Sequence, residues 1–118
     1  MLITKEFLFD SAHKLENYDG KCANLHGHTY KLLITLSGTI KEDGIIIDFV
    51  KLKQIVNDVI IESLDHKYLN DIIKQPTAEN LVVWIWNKLI PEFNSDKVKL
   101  HSIQLYETPT SSVTYGGE

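Results

Sequence analysis

Between Asp48 and Pro91 the apolar residues recur at intervals of three and four, whereas on either side of that span they alternate with polar ones. A chain patterned this way buries its apolar side chains by laying helices over one face of a sheet. Asp48 is a natural N-cap, and Phe49, Leu52, Val56 and Val59 mark the buried stripe of a helix running to about Ser63. A second helix opens after Pro76, with Thr77 as its cap and Glu79 in its first turn, where the helix dipole favours an anion. Leu81, Val82, Ile85 and Leu89 form its stripe, and Pro91 ends it. The segments 2–13, 28–40, 97–107 and 111–115 read as strands, the last two joined by a Thr-Pro-Thr turn at 108–110. The expected architecture is α+β in the order ββααββ, an antiparallel four-stranded sheet with both helices on one face, in a single domain spanning 1–118. Such a sheet has open edges, which pairing with further copies of the chain would close.

The chain is 43% hydrophobic and 24% charged, apolar enough to build a core and too balanced for a disordered segment. Its net charge is −4 and every one of its 12 cations is lysine, so no guanidinium is available to grip phosphate or guanine, which argues against a nucleic-acid partner. A single cysteine, Cys22, excludes an intrachain disulfide, and the opening MLITKEFLFD lacks the pattern of a signal peptide. A reducing cytoplasm is the expected setting. The longest apolar stretches, 44–47 and 81–86, fall far short of the ~20 residues needed to span a membrane, so no membrane association is expected.

Histidines carry the chemical signal. His26 and His28 flank Gly27, so an extended backbone sends both imidazoles from one face, as a chelate requires. Two surface histidines at a strand edge would look the same. His13 ends the first strand with the parity of Phe7 and Phe9, and an antiparallel hairpin returns the 26–28 segment beside it; it reads either as a third ligand or as a core histidine satisfied by a carbonyl. Three neutral imidazoles suit Zn²⁺ and leave a coordination position open for water or substrate. Cys22, four residues before His26, reads as an inert thiol, a fourth ligand, or a base with a lowered pKa beside the metal. Asp65 and His66 follow the first helix, where they are either a helix-end decoration or a mutually orienting pair. Glu107 shares the parity of Ile103 and Leu105, which leaves it a frayed strand end or a carboxylate pointing into a pocket to accept from a flat heterocycle.

Taken together, F-D-S-A-H-K-L, C-A-N-L-H-G-H-T-Y, G-I-I-I-D-F-V-K-L-K, L-D-H-K-Y-L-N, P-T-A-E-N-L and Y-E-T occur in an order that resembles the zinc-dependent 6-pyruvoyl- and 6-carboxy-tetrahydropterin synthases over nearly the whole chain. The three-residue gap between Cys22 and His26 is more similar to the carboxy branch, which serves queuosine biosynthesis. The resemblance implies the T-fold (tunnelling fold), in which sheets from several subunits join into a barrel, usually as a hexamer of two trimers with active sites between subunits. It implies His13, His26 and His28 as zinc ligands, Cys22 as the catalytic thiol, Asp65 and His66 as the proton-transfer pair, and Glu107 as the pterin anchor. The implied substrate is 7,8-dihydroneopterin triphosphate, which zinc would polarise at its side-chain hydroxyls while Cys22 removes a proton and His66 returns one.

Thr77 and Glu79 would bring the second helix's N-terminus near the pterin, although capping accounts for both. Where relatives often carry arginine after the first zinc histidine, this chain has Lys14, so the triphosphate would be met by lysines such as Lys14 or Lys21 and held in a salt-sensitive way. Three other readings stand beside this one: a pyruvoyl synthase that only eliminates triphosphate, a non-catalytic zinc- and pterin-binding oligomer, and a small cupin-like metal protein. Two long helices speak against the last.

Overall fold

The structure is a computed structural model that describes residues 1–118, the side chain of Cys22 excepted. Two long strands, β1 (Leu2–His13) and β2 (His26–Gly38), form an antiparallel hairpin in continuous register from Leu2↔Ser37 to His13↔His26. Two more, β4 (Val98–Thr108) and β5 (Ser111–Tyr115), extend the sheet beyond β2. The expected four strands become five: a two-residue strand, β3 (Lys67–Tyr68), pairs parallel with Ser11 and Ala12, giving the order β3-β1-β2-β4-β5 and a mixed sheet. So short a strand has no alternation to read, and its two side chains are exposed.

Both helices cover one face. Helix α1 begins at Phe49, capped by the Asp48 carboxylate on the Val50 N–H at 2.8 Å, and runs through an α segment (Phe49–Val56), a π turn (Asn57–Ile61) and a closing turn (Glu62–Leu64). Its buried stripe is Leu52, Val56, Ile60 and Leu64, not the expected set, since Phe49 is 52% exposed and Val59 only half-buried. Residues spaced by four drift around a helix of ~3.6 residues per turn, and the wider π turn cancels that drift so that all four meet the sheet. Helix α2 (Ala78–Leu89) buries Leu81, Val82, Ile85 and Leu89 as the spacing predicts, and a 3₁₀ turn containing Pro91 closes it.

The inward face of the hairpin alternates strictly. Phe7, Phe9, Ser11 and His13 on β1 and Tyr30, Leu32, Ile34 and Leu36 on β2 are buried against the helices, with Phe9 stacked on Tyr30 at 5.0 Å between ring centroids. The apolar run ends at the hairpin's open end, where His13, His26 and His28 take the inward positions. No helix among the described residues is long and apolar enough to cross a membrane.

Candidate functional site

The strand register alone brings the three histidines together: His13 faces His26 directly, and His28 lies opposite Ser11, one inward position away. Their ring centroids are 4.5 Å (His13–His26), 5.1 Å (His13–His28) and 4.9 Å (His26–His28) apart, and one nitrogen from each lies within 4.8 Å of the other two. Gly27 between them packs against the hairpin partner, where a Cβ would come to 3.4 Å from the Ser11 carbonyl.

Hydrogen bonds fix the protons. His13 Nδ1 lies 2.7 Å from the Pro76 carbonyl and His26 Nδ1 lies 2.7 Å from the Asn24 carbonyl. A carbonyl only accepts, so each Nδ1 carries the hydrogen and each Nε2 keeps its lone pair. The two alternatives for His13 therefore hold at once: one nitrogen is satisfied by a carbonyl and the other is free to coordinate. His28 is held below the ordinary imidazole pKa by burial and by its two histidine neighbours, with Glu107 pulling the other way, which favours the neutral ring. The Nε2 atoms of His13, His26 and His28 are buried and have no hydrogen-bond partner. An orphaned buried nitrogen costs roughly 1–3 kcal/mol, so three converging lone pairs make a stable arrangement once a cation sits among them. Backbone carbonyls behind two of the rings are the outer shell that metal-binding histidines require.

Glu107 reaches the same point from β4. The β4–β5 pairing slips between Tyr106 and Thr108, and the residue at the slip is Glu107, whose Oε1 lies 3.5 Å from His13 Nε2 and 3.8 Å from His28 Nε2. Tyr30 backs the cluster, its hydroxyl 3.4 Å from His13 Nδ1; burial and the Glu107 charge raise its pKa far above the ordinary phenol value, so it stays neutral.

Asp65 and His66 form a second cluster. Asp65 Oδ2 lies 3.0 Å from His66 Nδ1, and His66 adopts φ 58°, a left-handed conformation uncommon outside glycine. The Asp65 carboxyl is held below its ordinary pKa chiefly because the Asp10 N–H donates to it, with the His66 bond adding to the effect. Alternation puts the Asp10 side chain on the face opposite the three inward histidines, and a cleft of about 550 Å³ at this end of the hairpin is bordered by residues of both clusters, among them Asp10, His28, Thr29, His66, Lys67 and Tyr68. A neighbouring cleft of about 440 Å³ shares His28 and is bordered by Leu8, Lys31, Tyr106, Glu107 and Pro109.

The remaining sequence candidates separate. Thr77 Oγ1 is engaged as the α2 cap, accepting from the Asn80 N–H at 3.1 Å, while its neighbour Pro76 orients His13. Lys14 is exposed at the end of β1, its backbone gripped by both ends of the Asn70 amide, and Lys21 is exposed as well. The lysines that border the two clefts are Lys31 and Lys67, which sequence reasoning missed although each lies within three residues of a singled-out histidine. The Cys22 side chain lies outside the described residues.

Residues 2–118 match the family model described as 6-pyruvoyl tetrahydropterin synthase. A 6-carboxy-5,6,7,8-tetrahydropterin synthase from Haemophilus influenzae is 37% identical, covering 96% of each chain. A dihydroneopterin monophosphate aldolase from Pyrococcus furiosus is 41% identical over 84% of this chain and 82% of its own. Among solved structures, that of Caenorhabditis elegans 6-pyruvoyl tetrahydropterin synthase superposes with a TM-score of 0.87 at 26% identity, covering 100% of this chain and 96% of the other.

Proposed function

The chain belongs to the 6-pyruvoyl tetrahydropterin synthase family and has its T-fold, and from that premise we propose that it is a zinc-dependent 6-carboxy-5,6,7,8-tetrahydropterin synthase. In this reading it converts 7,8-dihydroneopterin triphosphate and one water to 6-carboxytetrahydropterin, releasing acetaldehyde and triphosphate, as a cytoplasmic step of queuosine biosynthesis. The observation that carries the reading is the set of three buried, unpartnered Nε2 atoms of His13, His26 and His28.

Those three residues would hold Zn²⁺, which when bound supplies a Lewis acid toward the substrate's side-chain hydroxyls. Glu107 accepts from the ring N–H donors of the pterin and keeps the flat heterocycle beside the histidines, in the cleft that Leu8, Tyr106 and Pro109 border. Cys22, as thiolate, takes a proton from the substrate side chain. His66 returns one; Asp65, bonded to its Nδ1, fixes the tautomer and stabilises the imidazolium, so that Nε2 exchanges the proton. Lysines meet the triphosphate as point charges, the chain having no arginine. The Asp65–His66 pair is tied to the Asp10 backbone at the β1 edge, and in this reading each histidine cluster works with the pair of another copy, in the hexamer of two trimers that the resemblance implies.

The full-length similarity to the H. influenzae enzyme and the short spacing from Cys22 to His26 favour the carboxy product over the pyruvoyl one. Incubation of the zinc-loaded protein with 7,8-dihydroneopterin triphosphate decides the matter. Acetaldehyde together with 6-carboxytetrahydropterin is the expected result. A pyruvoyl side chain with no aldehyde would assign the elimination activity instead, and turnover confined to the monophosphate would align the chain with the P. furiosus aldolase.

A further inference from the structure

One strand residue, Asp10, holds both members of the exposed pair. Its backbone N–H donates to Asp65 Oδ1 at 2.9 Å, and its carbonyl accepts from the His66 N–H at 2.6 Å. Its carboxylate accepts from Thr29 Oγ1 at 2.5 Å across the hairpin, where Asp10 and Thr29 are register partners. A carboxylate oxygen of Asp10, one of Asp65 and a ring nitrogen of His66 all lie within 4.8 Å of one another. Two carboxylates at that separation repel unless a cation lies between them, and the group placed to be that cation is the His66 ring. The left-handed backbone of His66 is uphill for a side-chain-bearing residue, and the bond from its N–H to the Asp10 carbonyl holds it there.

We propose that Asp10 is a positioning residue for the Asp65–His66 pair: its backbone sets where the two side chains stand, and its carboxylate adds a second negative charge beside the His66 ring that stabilises the imidazolium during proton transfer. This rests on the reading of Asp65 and His66 as the proton-transfer pair and goes beyond it by one residue. The charged and titratable groups that face His66 are Asp65 beside it, Asp10 on β1, His28 on β2, and Lys67 and Tyr68 on β3. Lys67 is exposed and its charge opposes the two carboxylates from the solvent side, where screening is strongest.

Asp10→Asn retains both backbone hydrogen bonds, the side-chain shape and an acceptor for Thr29, and removes only the charge. In the zinc-loaded protein, NMR titration of the His66 ring is expected to show its pKa lowered by about half to one unit, the size of a single solvent-facing charge at this distance. The alkaline limb of kcat moves down by the same amount, kcat at neutral pH falls several-fold with KM within about twofold, and Asp10→Glu restores most of both. Thr29→Val, which leaves the charge but frees the carboxylate, gives a smaller shift in the same direction. A His66 titration in Asp10→Asn within about 0.1 unit of the parent overturns the proposal, even if turnover drops, while a simultaneous loss of turnover in His66→Ala shows that the pair's own role survives. Should His66→Ala turn over normally, the proton-transfer reading fails and Asp10's part in catalysis fails with it.

Discussion

The two histidine-bearing clusters are opposites in how they are satisfied. The three inward histidines sit at the end of an apolar strand face, with His13 fully buried, and each leaves a ring nitrogen unpartnered. Asp65 and His66 stand on a loop with the His66 side chain 78% exposed; the Asp65 carboxylate bonds His66 Nδ1 and the Asp10 N–H, and the His66 backbone N–H bonds the Asp10 carbonyl. A buried lone pair with no partner is a standing cost that a ligand removes, whereas an exposed, mutually bonded pair is already stable and stays open to a substrate. The first cluster is built to hold something in place and the second to exchange something with a visitor.

The largest effect expected from that contrast is on metal content. His13→Ala should lower zinc affinity by more than the roughly 10- to 100-fold typical of losing an outer-shell partner, and should abolish turnover; zinc analysis after dialysis reads the first and the product assay the second. His66→Ala should keep its zinc and lose about 100- to 10,000-fold in kcat, the range for a positioned acid or base. Equal zinc loss in both variants would erase the distinction between the clusters. Co-expressing the two variants sharpens it: if one copy's histidine cluster works with another copy's His66, random mixing restores about a quarter of the sites, and if each site lies within one chain it restores none. The smallest effect belongs to Thr77→Ala. Loss of that cap should cost about 1 kcal/mol in urea unfolding, with a modest weakening of zinc binding because the neighbouring Pro76 carbonyl orients His13.

What could be read from sequence followed from periodicity. Alternation along β1 and β2 places His13, His26 and His28 on one face, and alternation along β4 puts Glu107 at the end of that strand's apolar side, because a period of two is visible residue by residue. The cap residues Asp48 and Thr77 were legible for the same local reason. The α1 stripe was not: a π turn changes the period inside a helix, so Val59 fits the regular pattern while Ile60 fills the core. Strand β3 was invisible because two residues define no period. Asp10 and Pro76 were missed because their contributions to the clusters run largely through backbone groups, which every residue carries and no side-chain pattern announces.

The most direct test is a competitive zinc titration of the metal-stripped protein with side-chain NMR on its histidines. One equivalent per chain should bind, with the Nε2 resonances of His13, His26 and His28 shifting together and those of His66 and His101 staying in place. Zinc that binds without perturbing those three rings, or that binds a His13→Ala, His26→Ala, His28→Ala triple variant equally well, would contradict the metal centre on which the proposed activity depends.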